Sequence, residues 1–140
     1  MEREEDNRKK NKGWEPYYKH TKGLKPHENV IEFLEKDIKP RQAIDLGCGA
    51  GRDTIALLKS GWRVLAIDRE EKAKGHILEQ VKKNDFSRFR FKQADFRHVE
   101  LGKVDLIVSN LTLSFCPKSD FSTLWNKISN SIVDGRIFCR

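Results

Sequence analysis

The sequence lacks the features that would place it in a membrane or in an oxidising compartment. No stretch approaches the roughly 20 consecutive apolar residues that cross a bilayer, and residues 1–12 are charged and polar rather than an apolar leader. The three cysteines, at positions 48, 116 and 139, are odd in number and too far apart for a disulfide framework or a CxxC metal site. We therefore predict a cytoplasmic protein without membrane contact.

Signatures of metal and nucleic-acid sites are also missing. The four histidines form no close pair, and none stands beside cysteine or aspartate at ligand spacing. Lys and Arg outnumber Asp and Glu by 28 to 21, which gives a formal charge of +7. These charges are mixed along the chain, with no basic block interleaved with aromatics, so we interpret the excess as a solvated surface. We predict no metal, and we favour a small-molecule partner over a nucleic acid, which stays the weaker alternative.

A chain of 140 residues is long enough for one compact core. We expect residues 1–22 to form a mobile charged start followed by an N-terminal arm, which carries Trp14, Tyr17 and Tyr18. Residues 23–140 are predicted to form the folded domain.

Short apolar runs of strand length alternate with segments of helical spacing. This alternation is typical of a doubly wound, Rossmann-like α/β fold with a parallel sheet of about five strands and helices on both faces. The predicted strands are 43–46, 64–67, 89–91, 104–108 and 137–139. The first predicted helix lies after Pro26 and ends near Pro40, and the others are 54–60, 70–83 and 121–132, the last with Leu124, Trp125, Ile128 and Ile132 on one face.

The first predicted strand ends in the sequence DLGCGAGRD, which covers Asp45 to Asp53. Glycines at alternate positions let the backbone turn sharply and approach a ligand closely, and the helix that opens at Arg52 offers unpaired N–H groups. We interpret the segment as a nucleotide-binding turn. Cys48 stands between two of the glycines, where a small residue fits a tight turn better than it serves as a nucleophile.

The second predicted strand ends at Asp68, which is followed by Arg69. Asp68 lies 21 residues beyond Gly47, about the spacing at which an acidic residue receives the ribose hydroxyls in dinucleotide folds. A solvated turn aspartate is the alternative interpretation.

These motifs resemble those of the class I S-adenosylmethionine-dependent methyltransferases, in which an acid is followed by glycines at every second position. A nicotinamide site more often has GxGxxG, so the spacing here favours the methyltransferase over a dehydrogenase. The segment from Gln93 to Phe96 is similar to the adenine-contacting segment of this family, and the N-terminal aromatics resemble the arm of its small tellurite-resistance and thiopurine-type members.

The resemblance implies S-adenosylmethionine as the cofactor and places each part of that molecule. Asp95 would accept a hydrogen bond from the adenine amine, and Asn110 would stand beside the transferable methyl group. The implied cofactor-binding residues are Asp45, Gly47, Cys48, Gly49, Gly51, Arg52, Asp68, Arg69, Asp95, Phe96, Asn110 and Tyr18. No catalytic residue is assigned.

The family's sheet usually has seven strands, whereas this sequence resembles it only as far as the fifth. We therefore expect a truncated domain whose fifth strand has an exposed edge for a second copy or a partner. The predicted function is direct methyl transfer to a small molecule of the thiol or chalcogen-oxyanion class. The alternative is a non-catalytic cofactor-binding or interaction module of the same fold. Methylation of a nucleic acid is a further, less favoured alternative.

Overall fold

The structure is a computed structural model that describes residues 15–95, 97–110 and 116–139, with the backbone alone at positions 15, 17, 18 and 133–139. Five parallel strands form one sheet in the order β3-β2-β1-β4-β5. The strands are β1 (Gln42–Leu46), β2 (Arg63–Asp68), β3 (Phe89–Gln93), β4 (Val104–Ser109) and β5 (Ile132–Cys139). The helices are α1 (Glu15–Thr21), α2 (Glu28–Leu34), α3 (Arg52–Lys59), α4 (Lys72–Leu78) and α5 (Lys118–Ser131), with a 3-10 helix at Lys83–Arg88.

Apolar side chains cover both faces of the sheet. On one face, Val30 and Phe33 of α2 pack with residues of α3 and α4 against alternate positions of β1, β2 and β4. On the other face, Leu124 and Ile128 of α5 pack against the remaining positions of the same strands. Strands buried on both faces explain the continuous apolar runs in the sequence. The predicted α/β fold with helices on both faces is confirmed.

The helix predicted at 70–83 is wrong in length, because α4 ends at Leu78. Its last turn tightens where the N–H of Gln80 donates to the carbonyl of Ile77, three residues back. The Gln80 side-chain Nε2 donates to the carbonyl of His76 at 2.8 Å and also to that of Ala50 at 2.8 Å. The Gln80 side chain, and not its backbone N–H, therefore binds the His76 carbonyl, and the same amide joins the end of α4 to the turn after β1.

The fifth strand begins five residues earlier than predicted, at Ile132. Asp134 and Gly135, which resemble a turn in the sequence, lie inside β5. Between the paired positions Val104–Ile132 and Leu106–Arg136, β5 advances four residues while β4 advances two. The Asp-Gly pair therefore lies in a bulge of the strand rather than in a turn before it.

Trp125 does not lie on the buried face of α5, contrary to the prediction. Its ring stacks on Phe121, one helical turn away, with 6.2 Å between the ring centroids, and both residues are exposed. Leu124 and Ile128 are buried, so the core-facing stripe of α5 is narrower than the apolar pattern indicates.

The described part of the N-terminal arm packs on α4. Thr21 is buried, Lys22 forms an ion pair with Glu79, and the N–H of Gly23 donates to the side chain of Gln80 at 3.2 Å. No helix in the described ranges is long and apolar enough to cross a bilayer.

Gly51 is a position where the fold leaves no room for a side chain. Its φ is +88°, and a Cβ added there would lie 2.5 Å from Cγ1 of the buried Ile77. We predict that Gly51→Ala lowers the free energy of unfolding by about 2 to 4 kcal/mol, through left-handed backbone strain and overpacking together. Urea titration measures this loss.

Gly23→Ala is the matched control for that variant. Gly23 has a similar φ of +79°, but an added Cβ there meets no atom within 4 Å. We expect a loss of only about 1 kcal/mol from backbone strain. Equal losses in the two variants would contradict a role for the contact with Ile77.

Candidate functional site

The glycine turn joins β1 to α3 at the carboxyl edge of the sheet. The N–H groups of Gly47 and Cys48 donate to the carbonyl of Ile67 at 2.7 and 3.0 Å, which fixes the turn against the end of β2. The N–H of Gly49 donates to Asp68 Oδ2 at 2.9 Å. The structure thus brings together the turn and the acidic residue that the sequence paired by spacing alone.

Asp68 is held at the end of β2 by two backbone groups. Besides Gly49, the N–H of Glu70 donates to its Oδ1 at 2.9 Å. Each carboxylate oxygen has two lone pairs, so this orientation is compatible with further hydrogen bonds from hydroxyl groups. The neighbouring Arg69 is exposed, and its carbonyl accepts a hydrogen bond from the Gln93 side chain at 3.2 Å.

Asp45 is a buried carboxyl group directly below the turn. Thr54 Oγ1 donates to its Oδ2 at 2.6 Å. Burial, with smaller contributions from the negative charges of Asp53 and Asp68, raises the pKa of Asp45 to about 8. Burial likewise raises the pKa of the Cys48 thiol, so this residue lacks the thiolate character of a nucleophile.

Asp95, the predicted adenine contact, is tied to Arg97. Arg97 Nη2 donates to Asp95 Oδ2 at 2.7 Å, and the Arg97 N–H donates to Oδ1 at 2.9 Å. Hydrogen bonds from Arg97 lower the pKa of Asp95 to about 2, so the group remains an ionised acceptor at neutral pH. The same guanidinium reaches Asp120 at the start of α5 at 3.4 Å, which links the loop after β3 to that helix.

Of three other predicted residues, the structure describes Arg52 in full, only the backbone of Tyr18, and not Phe96. Arg52 Nε donates to the carbonyl of Lys25 at 2.7 Å, which ties the loop before α2 to the start of α3. The backbone of Tyr18 lies in α1, but its side chain is outside the described residues, as is Phe96.

A buried network that the sequence analysis missed lies beside the glycine turn. Asp53 Oδ1 accepts from the backbone N–H of His27 at 2.8 Å, and Oδ2 lies 2.7 Å from His27 Nδ1. Asn110 Nδ2 donates to Asp53 Oδ2 at 2.9 Å, and its amide exchanges hydrogen bonds with the Asn29 side chain at 2.7 and 3.0 Å. Asn110, predicted to stand near the methyl group, is therefore an internal partner of Asp53.

A separate cavity of about 270 Å³ lies at the opposite, amino edge of the sheet. It is lined by basic side chains that include Arg63, Arg88 and Lys103. Ligands of open α/β sheets bind at the carboxyl ends of the strands, so we assign no function to this cavity. Within the described ranges, no group of His, Cys, Asp and Glu side chains is arranged to hold a metal ion.

Asp45 makes the stability of the protein depend on pH. Its pKa is raised from 3.8 to about 8 on folding, so its favourable contribution is complete below pH 4 and is lost as the pH rises towards 8. In the parent chain the proton on Asp45 costs up to about 1.4 kcal/mol in the free energy of unfolding for each pH unit between 4 and 8. We predict that Asp45→Asn, which retains an acceptor for Thr54, abolishes this part of the slope. Urea titrations between pH 5 and 8 measure the two slopes.

Asp37→Asn serves as the surface control for that experiment. Asp37 is exposed, and among the described residues it forms no hydrogen bond or ion pair. This variant should keep the slope of the parent chain. An Asp45→Asn slope equal to the parental one would contradict the raised pKa.

Comparisons with known proteins agree on one family. The profile of the methyltransferase domain family matches residues 43–135. The ribosomal protein L11 methyltransferase of Desulfitobacterium hafniense is 39% identical over 83 residues, which are 58% of this chain and 27% of that protein. The carboxy-S-adenosyl-L-methionine synthase of Psychrobacter sp. is 33% identical over 104 residues, 66% of this chain and 37% of the relative.

Among solved structures, TehB from Haemophilus influenzae superposes with a TM-score of 0.69 at 22% identity, over 77% of this chain and 37% of TehB. At that identity the likeness concerns the fold and not the subtype. The chain spans about a quarter to two fifths of the length of these relatives. The profile match covers the β1 turn through the bulge of β5. The chain therefore belongs to the methyltransferase domain family, the class I S-adenosylmethionine-dependent group predicted from its glycine turn.

Proposed function

We propose that this domain binds S-adenosylmethionine across the carboxyl ends of β1, β2 and β3 and transfers its methyl group to a small-molecule acceptor. The proposal assigns the methionine end to the glycine turn and the ribose to Asp68. It assigns the adenine to the loop that holds Asp95. The cofactor supplies a methyl group activated on a sulfonium, and the protein's task is to orient the acceptor and exclude water.

The observation that carries the proposal is the negative charge that surrounds the glycine turn. Asp45, Asp53 and Asp68 lie close enough that the charges of the last two raise the pKa of the first. The pyrophosphate of a dinucleotide would add two negative charges beside them, which costs free energy. S-adenosylmethionine carries an ammonium and a sulfonium against one carboxylate, so it brings a net positive charge, and the electrostatics favour it over NAD.

The shape of the turn also fits close approach by a ligand. Gly47 and Gly49 have φ values of +76° and +54°, which L side chains rarely adopt, and the N–H of Gly49 points to Asp68. Asp68 in turn is oriented by two backbone donors. A carboxylate held in this way can accept both hydroxyls of a ribose.

The segment before α2 is hydrogen-bonded to the start of α3, and this close attachment favours a compact acceptor. Arg52 binds the Lys25 carbonyl, and His27 binds Asp53, so this segment covers the start of α3. The strand order changes direction between β1 and β4, the position at which open α/β sheets form their binding crevice. Within the small-molecule class we propose a thiol or chalcogen-oxyanion acceptor.

The second candidate is a cofactor-binding module without turnover. It rests on the cofactor side of the site alone, since the glycine turn and Asp68 would serve binding whether or not an acceptor is methylated. A second copy or a partner strand at the edge of β5, which ends the sheet among the described residues, would serve either candidate.

Calorimetric titration tests the cofactor assignment. We predict that the parent chain binds S-adenosylhomocysteine but not NAD, and that Asp68→Asn weakens S-adenosylhomocysteine binding by about 10- to 100-fold through loss of charged hydrogen bonds to the ribose. Asp37→Asn, on the surface, should bind as the parent does. NAD binding without any response to S-adenosylhomocysteine would contradict the proposal.

A further inference from the structure

His27 stands at the start of α2, but it does not cap that helix. No hydrogen bond joins its side chain to the first turn of α2, although an N-cap position normally carries Ser, Thr, Asp or Asn for that purpose. Its ring turns instead towards Asp53, with 2.7 Å between Nδ1 and Oδ2. The backbone N–H of His27 already anchors α2 to the other oxygen of the same carboxylate. Attachment of α2 therefore explains the backbone contact and leaves the imidazole unexplained.

The contact with Asp53 determines which ring nitrogen carries a proton. Both oxygens of Asp53 accept hydrogen bonds, Oδ1 from the backbone N–H of His27 and Oδ2 from Asn110 Nδ2, so the carboxylate presents an acceptor to Nδ1. In the neutral imidazole Nδ1 then bears the hydrogen and Nε2 carries the lone pair. Within the described ranges no hydrogen bond is recorded for Nε2, and the His27 side chain is 12% exposed.

This dyad lies where an acceptor would enter. Asp53 belongs to the first turn of α3, directly after the glycine turn, and Asn110 follows the carboxyl end of β4. The two elements flank the change in strand order between β1 and β4. Asn110 donates to the oxygen that faces Nδ1, so the carboxylate that orients the ring is itself held in place.

We infer that His27 Nε2 is the general base of the methyl transfer and that Asp53 and Asn110 are its positioning residues. This inference rests on the proposed function. It narrows the acceptor class to a thiol or another group that carries a proton at neutral pH, in preference to an oxyanion.

Atoms and charge balance in the step. The acceptor sulfur forms a bond to the methyl carbon while the bond from that carbon to the sulfonium breaks, and the electron pair stays on the former sulfonium sulfur. Nε2 takes the thiol proton, which gives an imidazolium whose Nδ1–H remains hydrogen-bonded to Asp53. S-adenosylhomocysteine and a thioether leave, and the imidazolium returns its proton to water.

His27→Asn tests the role of Nε2, since the asparagine amide nitrogen occupies the place of Nδ1 and can still donate to Asp53. Two probe thiols are compared with S-adenosylmethionine as donor: 2-mercaptoethanol, which holds its proton at neutral pH, and 5-thio-2-nitrobenzoate, which is already a thiolate. We expect kcat for 2-mercaptoethanol to fall about 100-fold or more, with kcat for the thiolate changed less than about threefold. The ratio of the two rates does not depend on how much of the variant is folded.

Two measurements accompany the rates. Calorimetric binding of S-adenosylhomocysteine should be the same for His27→Asn and the parent chain. Nitrogen-15 NMR of the parent chain should show the Nδ1–H tautomer of His27. His98→Asn is the matched control, because His98 is exposed and lies outside the dyad.

Each other outcome overturns a defined claim. Equal losses for the two thiols, no loss for either, or an Nε2–H tautomer would overturn the base assignment while leaving the proposed function intact. Cofactor binding without turnover of either thiol by the parent chain would overturn the base assignment and favour the binding module. Failure to bind S-adenosylhomocysteine would overturn the proposed function itself.

Discussion

The carboxylate of Asp53 is the point on which the geometry of the site depends. It is buried and accepts hydrogen bonds from the start of α2 and from the residue that follows β4, while its own backbone lies in α3. A buried charge without such partners costs several kcal/mol, so the three elements can move apart only against that penalty. The Asp53 hydrogen bonds thereby fix the separation of α2, α3 and the end of β4 at the crevice, and they hold the adjacent glycine turn in place.

Local patterns in the sequence predicted the sheet and the glycine turn because each strand, and the turn itself, is determined by a few consecutive residues. Apolar runs mark strands buried on two faces, and the 21-residue spacing from Gly47 paired Asp68 with the glycine turn, where it accepts a hydrogen bond from the Gly49 N–H. The Asp53 network was missed because its members are 26 and 57 residues apart and no spacing rule connects them. The same reason explains the early end of α4, since Gln80 bonds to Ala50 thirty residues away.

The site also has the opposite charge to the protein as a whole. The chain carries a formal +7, yet the charges of Asp53 and Asp68 that act on the glycine turn and on the buried Asp45 are negative. Net charge governs solubility and long-range attraction, whereas the charge that a buried site favours in its ligand depends on the few groups within several ångströms. An overall basic composition therefore does not determine which charge the glycine turn favours in a ligand.

The proton on Asp45 has a consequence for the energetics of ligand binding. With a pKa of about 8, this buried carboxyl keeps its proton through most of the neutral range. A cation that binds against it lowers that pKa and expels the proton into the buffer, so uptake of ligand and release of hydrogen ions are linked. The heat of binding then contains the ionisation enthalpy of the buffer, and apparent affinity for a cationic ligand rises with pH whereas that for a neutral analogue does not.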